Sequence, residues 1–369
     1  MHKSFKLQGQ SFQDPLALIS FSKTVSDELY WFLQEWFSDA ETLIVQTSGS
    51  TGVPKLISIK KELMQNSAKA TGAFFDLGAG TKALCCLSIN YIAGKMMVIR
   101  ALTLGWELDV SEPVSNPLEN TFKEYDFCAM VPMQVQASLL NLYLVKKLLI
   151  GGGVVSQNLQ ESLQDLSTEC YASYGMTETV SHIAVKKLNS VTEHSQDVVT
   201  SSDEKKSLRA WSLSGVEVES RSYYKLLPNI SISKDDRDCL VIDAPLLSEE
   251  KVVTNDVVSI LSDNEFEWLG RVDNVINSGG VKLHPEAIEK ELSKIISERF
   301  FVAGIPDEIL GEKLILLIEG ENRAYDFSSL ALSKYQTPKQ TYFVEQFVET
   351  ETKKIQRKKT LDLIDVKLQ

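Results

Sequence analysis

No run of about 18 apolar residues occurs in this 369-residue chain, and Met1–Phe12 lacks the apolar core of a secretory leader. A membrane partner is not expected, and the setting that fits is cytoplasmic. Positive charge is also in deficit: 38 Lys and Arg stand against 50 Asp and Glu, a formal net charge of −12. Nucleic acid is therefore not an expected partner, and an anionic ligand has to be held by local groups. The five cysteines form no CxxC pair, and an odd number fits reduced thiols better than a disulfide framework. Cys85 and Cys86 fall inside an apolar run and read as core. No internal repeat is evident.

What is present is an ordinary globular composition, 43% hydrophobic and 24% charged, on a chain long enough for two domains. Its most informative segment is Thr47-Ser48-Gly49-Ser50-Thr51-Gly52-Val53-Pro54-Lys55, directly after Leu43-Ile44-Val45. Small residues let backbone N–H groups approach anionic oxygens, hydroxyls add donors, and the Lys55 ammonium supplies a compact charge. The run suits a phosphate cradle and equally a Gly/Ser surface turn. It is not a P-loop, because Pro54-Lys55-Leu56 stands where Gly-Lys-Ser/Thr is required. The alternation in Leu56-Ile57-Ser58-Ile59 predicts that the loop joins two strands of a hairpin.

Further along, the spacing predicts helices over 61–75, 92–104 and 134–143 and strands over 82–87, 127–131 and 147–150, the last ending at Gly151-Gly152-Gly153. Such β/α alternation implies a largely parallel sheet. Residues 186–207 turn polar and read as a surface loop. From Trp211 to Trp268 strands dominate, including Gly215–Val218 and Cys239–Ile242, which suggests an antiparallel or barrel-like subdomain. Pro285 sits at a first helical position before Glu286–Ser297, with strands at 300–303 and 314–318, then another helix and strand. The expected fold is α/β: a large domain of β/α layers with a barrel-like β subdomain over 1–272, and a small mobile α+β domain over 273–369.

Three more motifs follow the loop in order: Tyr174-Gly175-Met176-Thr177-Glu178-Thr179; Thr254-Asn255-Asp256 with Gly270-Arg271-Val272-Asp273; and Thr350-Glu351-Thr352-Lys353-Lys354-Ile355-Gln356-Arg357. Together they resemble the adenylate-forming superfamily of acyl- and aryl-CoA synthetases, over about Leu43 to Arg357. Joining a carboxylate to ATP needs charge neutralised on both sides of the α-phosphorus and the partners aligned. The resemblance implies that Thr47, Ser48, Gly49, Ser50, Thr51, Gly52 and Lys55 hold the β- and γ-phosphates of ATP. It places Glu178 on Mg²⁺, Thr177 on phosphate, Tyr174 beside adenine, Asp256 on the ribose hydroxyls and Arg271 at ribose or phosphate. It makes Asp273 the pivot of the small domain, brings Gly279-Gly280 to the thiol tunnel for CoA, and assigns Lys354 to the α-phosphate and carboxylate oxygens. Asn255 and Lys353 stand where the family often has glycine. Taken singly, Glu178 reads as a surface carboxylate, Asp256 as a turn residue and the basic run 353–359 as a solvated face.

Only 46 residues precede the loop, short for this superfamily. Compact versions resemble the o-succinylbenzoate–CoA ligases of menaquinone synthesis, and Asn90-Tyr91-Ile92-Ala93-Gly94-Lys95-Met96-Met97 is similar to that branch. The resemblance puts Tyr91, Ser173, Gly151, Gly152 and Gly153 at the acyl pocket. A second carboxylate on the acid needs a cationic partner, for which Lys95 and Arg100 are candidates beside the reading of an exposed helix face. Another acid–CoA ligase, a stand-alone adenylation enzyme, or a non-catalytic nucleotide-binding relative would share these motifs. A homodimer stays open.

Overall fold

The computed structural model describes residues 1–46, 56–189, 222–349 and 355–365. Local signals start its helices. Helix α1 (Pro15–Ser22) opens on Asp14, whose carboxylate accepts from the Ala17 N–H at 2.9 Å. Helix α2 (Asp27–Trp36) opens on Ser26, which accepts from the Leu29 N–H at 3.1 Å, with Asp27 and Glu28 in the first turn where the helix dipole favours negative charge. Its residues Leu29, Phe32, Leu33 and Trp36 recur at helical spacing and are buried.

The sheet that carries the site has thirteen strands among the described residues. Strands β5 (Lys82–Cys85), β6 (Glu107–Val110), β7 (Tyr125–Met130), β8 (Val145–Ile150) and β9 (Glu169–Gly175) pair in parallel, in the order β6-β5-β7-β8-β9. Ala83–Cys85, Phe127–Met130 and Leu148–Ile150 are buried, as strands covered on both faces require. Strand β1 (Lys6–Leu7) extends this half in parallel beyond β6, and β2 (Gln10–Ser11) closes the edge. Helices α3 (Lys61–Phe75) and α4 (Ile92–Leu104) fall where the spacing predicts them; α4 ends at Gly105, whose φ of 77° lies in the left-handed region that favours glycine. Ahead of α3, β3 (Thr42–Gln46) and β4 (Leu56–Lys60) form the expected antiparallel hairpin.

Beyond β9 the sheet turns antiparallel. Strands β10 (His182–Lys187), β11 (Tyr224–Leu226), β15 (Glu265–Arg271), β14 (Val252–Ser262), β13 (Cys239–Asp243) and β12 (Ser231–Lys234) follow in that spatial order. The strand-dominated stretch is thus hydrogen-bonded to the parallel core edge to edge. Gly215–Val218 and residues 190–207 of the polar segment lie outside the described residues.

A second sheet uses β16 (Ile276–Ser278), β17 (Val281–Leu283), β18 (Phe300–Asp307), β19 (Gly311–Glu319) and β20 (Gln340–Val344). Alternation along β19 divides its core. Leu314, Leu316 and Ile318 join Ile288 and Leu292 of α7 (Pro285–Leu292), whereas Ile315 and Leu317 join Phe347 and Ile364 of α8 (Arg357–Asp365). Glu349 and Ile355 form an antiparallel bridge, and Arg357 clamps Glu289 of α7 at 2.7 and 2.8 Å.

Three helix expectations differ from the structure. The helix expected over Glu286–Ser297 ends at Leu292, with Ser293 as its cap. The helix predicted over 134–143 is α5 (Pro132–Ala137) followed by a tighter 3₁₀ segment, because Ser138 leaves helical geometry and donates its hydroxyl to Asn116 Oδ1 at 3.0 Å. A later short helix, α6 (Gln157–Ser162), is capped by Ser156, which accepts from the Leu159 N–H. Between β19 and β20 there is no helix; Asp326 accepts from the Ser328 N–H at 2.9 Å, a local turn that competes with helix formation.

Gly94 lies inside α4, where a Cβ would overlap the backbone carbonyl of Ser88. Backbone cannot be displaced as a flexible side chain can. Gly94→Ala is expected to cost about 1–3 kcal/mol in urea denaturation; an unchanged midpoint and slope would contradict this packing.

Candidate active site

Parallel sheets place ligands outside the carboxyl ends of their strands. Here β8 ends at Ile150 and runs into Gly151-Gly152-Gly153, while β9 ends with Ser173, Tyr174 and Gly175. Ser173 Oγ donates to the Ile150 carbonyl at 3.0 Å, and a Cβ on Gly151 would press that hydroxyl at 2.7 Å. Gly175 carries no side chain because one would overlap the backbone at Ser181 and His182. Residues Thr177–Thr179 form a 3₁₀ turn held by Thr179 Oγ1, which donates to the Met176 carbonyl at 3.1 Å. Val180 then takes φ 67° and ψ −53°, with the Ser181 N–H donating to the Thr179 carbonyl at 2.7 Å: a γ-turn centred on a β-branched residue, a strained geometry. The exposed Glu178 carboxylate sits on this fixed turn with no protein partner among the described residues.

Asp256, 8% exposed, lies where β14 pairs with β15 and is in register with Arg271. Both its oxygens are held: Tyr174 donates its hydroxyl to Oδ2 at 2.6 Å, and Trp268 Nε1 donates to Oδ1 at 3.1 Å. The Asp256 N–H donates to Thr254 Oγ1 at 3.1 Å, and the Arg271 guanidinium lies 3.9 Å from Oδ1. Burial and the adjacent carboxylate push the Tyr174 phenol far above its ordinary value, so it remains a donor. A carboxylate offers about four acceptor positions, which leaves two for a vicinal diol. Tyr174 packs edge-on against Phe266, which stacks on Tyr224.

Arg100, 3% exposed, is the other fixed point. Its Nε donates to Thr71 Oγ1 of α3 at 3.2 Å, and Nη2 lies 3.3 Å from Ser181 Oγ and 3.4 Å from His182 Nδ1. Ser67 and Ser181 hydroxyls are 2.6 Å apart, tying α3 to the same turn. No carboxylate pairs with Arg100 among the described residues, and burial draws its pKa down to about 10. Guanidinium only donates, so His182 Nδ1 is the acceptor and its proton sits on Nε2, which has no partner among the described residues.

The sequence candidates are not all gathered here. Lys95 leans over the Phe32 ring at 4.9 Å, on the α2 side of α4, whereas Arg100 faces α3 and β10. Tyr91 caps the start of α4 and is half exposed. Asp273 follows β15 and accepts from Arg271 at 3.1 Å. Gly279 and Gly280, at φ 60° and 79°, form the two-residue turn between β16 and β17. Thr47, Ser48, Gly49, Ser50, Thr51, Gly52, Lys55 and Lys354 lie outside the described residues. Sequence reasoning missed Trp268, Ser181 and His182, and named Thr254 in its motif without a role of its own. Only the strand register across β14 and β15 brings Trp268 to Asp256, twelve residues away.

Residues 32–208 match a family model described as AMP-binding enzyme. An acyl-CoA synthetase (AMP-forming)/AMP-acid ligase II-like protein of Dyadobacter fermentans is 37% identical, covering 91% of this chain and 93% of that one, with a TM-score of 0.58. The chain belongs to the AMP-binding enzyme family. Within that family, the 2-succinylbenzoate–CoA ligase of Salmonella typhimurium is 24% identical over 87% of this chain and 66% of its own length. The chain thus spans about two thirds of that curated relative. The o-succinylbenzoate CoA synthetase of Bacillus subtilis, solved with its acyl-adenylate intermediate and also with ATP and magnesium, shares the fold. For the acyl-adenylate complex the TM-score is 0.68 at 17% identity, over 85% of this chain and 68% of that one.

The residues fit such ligands. Among the described residues no cluster of three or more His, Cys, Asp or Glu gathers around one point. A magnesium ion would therefore rely on Glu178, a hard oxygen donor free of protein partners, together with the nucleotide's phosphates and water.

Trp268→Phe removes one donor to Asp256 while keeping the ring, and is expected to weaken ATP binding about tenfold; isothermal titration at unchanged affinity would show that Trp268 does not orient the carboxylate. His182 gives a pH dependence. Burial, then Arg100, holds its imidazole well below the usual value. Below about pH 6.5 the unfolded chain takes up a proton that the folded ring refuses. This contribution is complete above that pH and declines as pH falls toward the folded value, by up to about 1.4 kcal/mol per unit. In His182→Gln, denaturation midpoints between about pH 5 and 7.5 are expected to vary correspondingly less; an identical slope would exclude His182 as the source.

Proposed function

We propose that this protein is an ATP-dependent acid–CoA ligase acting on an aromatic acid that carries a second carboxylate, with o-succinylbenzoate as the substrate, in menaquinone biosynthesis. The observation that carries the reading is Arg100: a buried guanidinium among neutral groups lacks a counter-charge among the described residues, and a distal substrate carboxylate would supply one. Family membership and the resemblance to o-succinylbenzoate–CoA ligases support the same assignment.

In the first step the reacting carboxylate oxygen attacks the α-phosphorus of ATP, the bond to pyrophosphate breaks, and an acyl-adenylate forms. Asp256 holds the ribose diol through its two remaining acceptor positions, with Tyr174 beside the base and Arg271 at ribose or phosphate. Thr47, Ser48, Gly49, Ser50, Thr51, Gly52 and Lys55 bind the outgoing phosphates, with Thr177 alongside. Lys354 neutralises the α-phosphate and carboxylate oxygens. Glu178 would hold a magnesium ion, and the ion would neutralise charge on the phosphates. In the second step the CoA thiolate attacks the acyl carbonyl and AMP departs with the bonding pair.

Residues 1–272 and 273–369 act as the two moving units, with Asp273 as pivot and Gly279-Gly280 approaching the thiol. The bridge of Glu349 to Ile355 and the Arg357–Glu289 clamp fix the base of the segment that bears Lys354. The acyl pocket takes Gly151, Gly152, Gly153 and Ser173 as one wall and Tyr91 at its mouth, with Arg100 rather than Lys95 as the partner of the second carboxylate.

The test is AMP and thioester formation with ATP, Mg²⁺ and CoA, comparing o-succinylbenzoate, benzoate, a fatty acid and an amino-acid mixture. Product with o-succinylbenzoate, and a fall of about 30-fold or more in its preference over benzoate in Arg100→Gln, is the expected result. Turnover of a different acid replaces the substrate, adenylate without thioester identifies a stand-alone adenylation enzyme, and no turnover with any acid favours a non-catalytic nucleotide-binding relative. Lys354→Ala is expected to abolish adenylate formation; wild-type rates would remove that assignment.

A further inference from the structure

Asp273 is tied back to the strand that bears the ribose carboxylate. Its Oδ2 accepts from Arg271 at 3.1 Å and from Asn255 Nδ2 at 3.2 Å. Asn255 Oδ1 in turn accepts from Arg237 Nη1 at 3.0 Å. Arg237 is itself fixed, because Nε donates to Asp235 Oδ2 at 2.8 Å and Nη2 donates to the Thr254 carbonyl at 3.1 Å. A carboxamide oxygen only accepts and its nitrogen only donates, so Arg237 and Asp273 together orient the Asn255 side chain. The next residue in sequence is Asp256, and one dipeptide therefore faces both the nucleotide position and the pivot.

The other flank of the pivot is held differently. Asn274 Nδ2 donates to Glu286 Oε1 of α7 at 2.6 Å, while Glu286 Oε2 is buried without a partner among the described residues and lies where a Gly270 side chain would be. Beside the hinge a cleft of about 460 Å³, lined by Arg237, Val272, Val275, Asn277, Lys282 and His284, separates the end of the large sheet from β16 and β17. The tether is thus local, with open space next to it.

We propose that Asn255 is a positioning residue for the two-step reaction: its carboxamide holds Asp273 in the orientation seen here, and rotation of the small domain requires that bond to break. This rests on the reading of Asp273 as the pivot. Because Asn255 adjoins Asp256, displacement at the nucleotide is passed directly to the tether.

The test uses the full chain with a fluorophore pair placed through Ser262→Cys and Ser328→Cys, one on each side of the hinge. All five native cysteines are buried and do not compete for label. Asn255→Ala removes both contacts. Asn255→Asp keeps an acceptor for Arg237 and sets a second carboxylate against Asp273. Both are expected to redistribute the interdomain distance. They are also expected to change the ratio of acyl-adenylate formation to thioester formation from supplied acyl-adenylate by about three- to tenfold. If Asn255 merely braces Arg237, Asn255→Asp keeps the wild-type distance and ratio while Asn255→Ala slows both steps alike, and the proposal is overturned. The distances need no turnover: redistribution in a chain that activates no acid leaves the tether standing and removes the ligase reading instead.

Discussion

A guanidinium buried without a carboxylate is the constraint around which this structure is arranged. Arg100 reaches it from α4, Thr71 from α3, and Ser181 and His182 from the start of β10, so three elements distant in sequence must meet for the cation to be solvated at all. Leaving such a group unsolvated costs several kcal/mol, and hydroxyls and an imidazole only soften that cost. The strained turn at Val180 is part of the same arrangement. It delivers Ser181 inward to Arg100 and leaves Glu178 facing out, so one local distortion serves both ends of the site.

Much of the architecture was legible because it is periodic. Helices α3 and α4 have the residue limits that apolar spacing indicates, α4 with a closing glycine and α3 with Asp76 in that place, and the apolar runs of β7 and β8 announce strands covered on both faces. The hairpin of β3 and β4 followed from alternation alone. Legibility failed where a single side chain decides. Ser138 interrupts a helix through one hydrogen bond to Asn116, and the Asp326 turn replaces another helix; neither leaves a mark in the hydrophobic pattern.

The site itself was legible by motif and not by geometry. Tyr174 and Asp256 could be named separately, yet their 2.6 Å hydrogen bond and the Trp268 donor opposite depend on how β9, β14 and β15 are ordered in one sheet. Lys95 and Arg100 looked equivalent on the helix because both are cations five residues apart. Five residues is well over a full turn, which sets them on different faces, and only packing shows that one rests on Phe32 while the other is enclosed.

Strand β11 is three residues long, and in the described sheet it joins the parallel half to the antiparallel half with two register pairs on each side. Every ladder around it is longer on at least one flank. A sheet loaded at such a place behaves like cloth with a short stitch: the halves on either side are the natural units of partial opening, and amides of Tyr224–Leu226 are where solvent hydrogen would enter first. Tyr174 and Asp256 lie on opposite sides of that stitch. Their hydrogen bond bridges the seam from above, so a nucleotide bound to Asp256 would oppose opening of the sheet there by mass action.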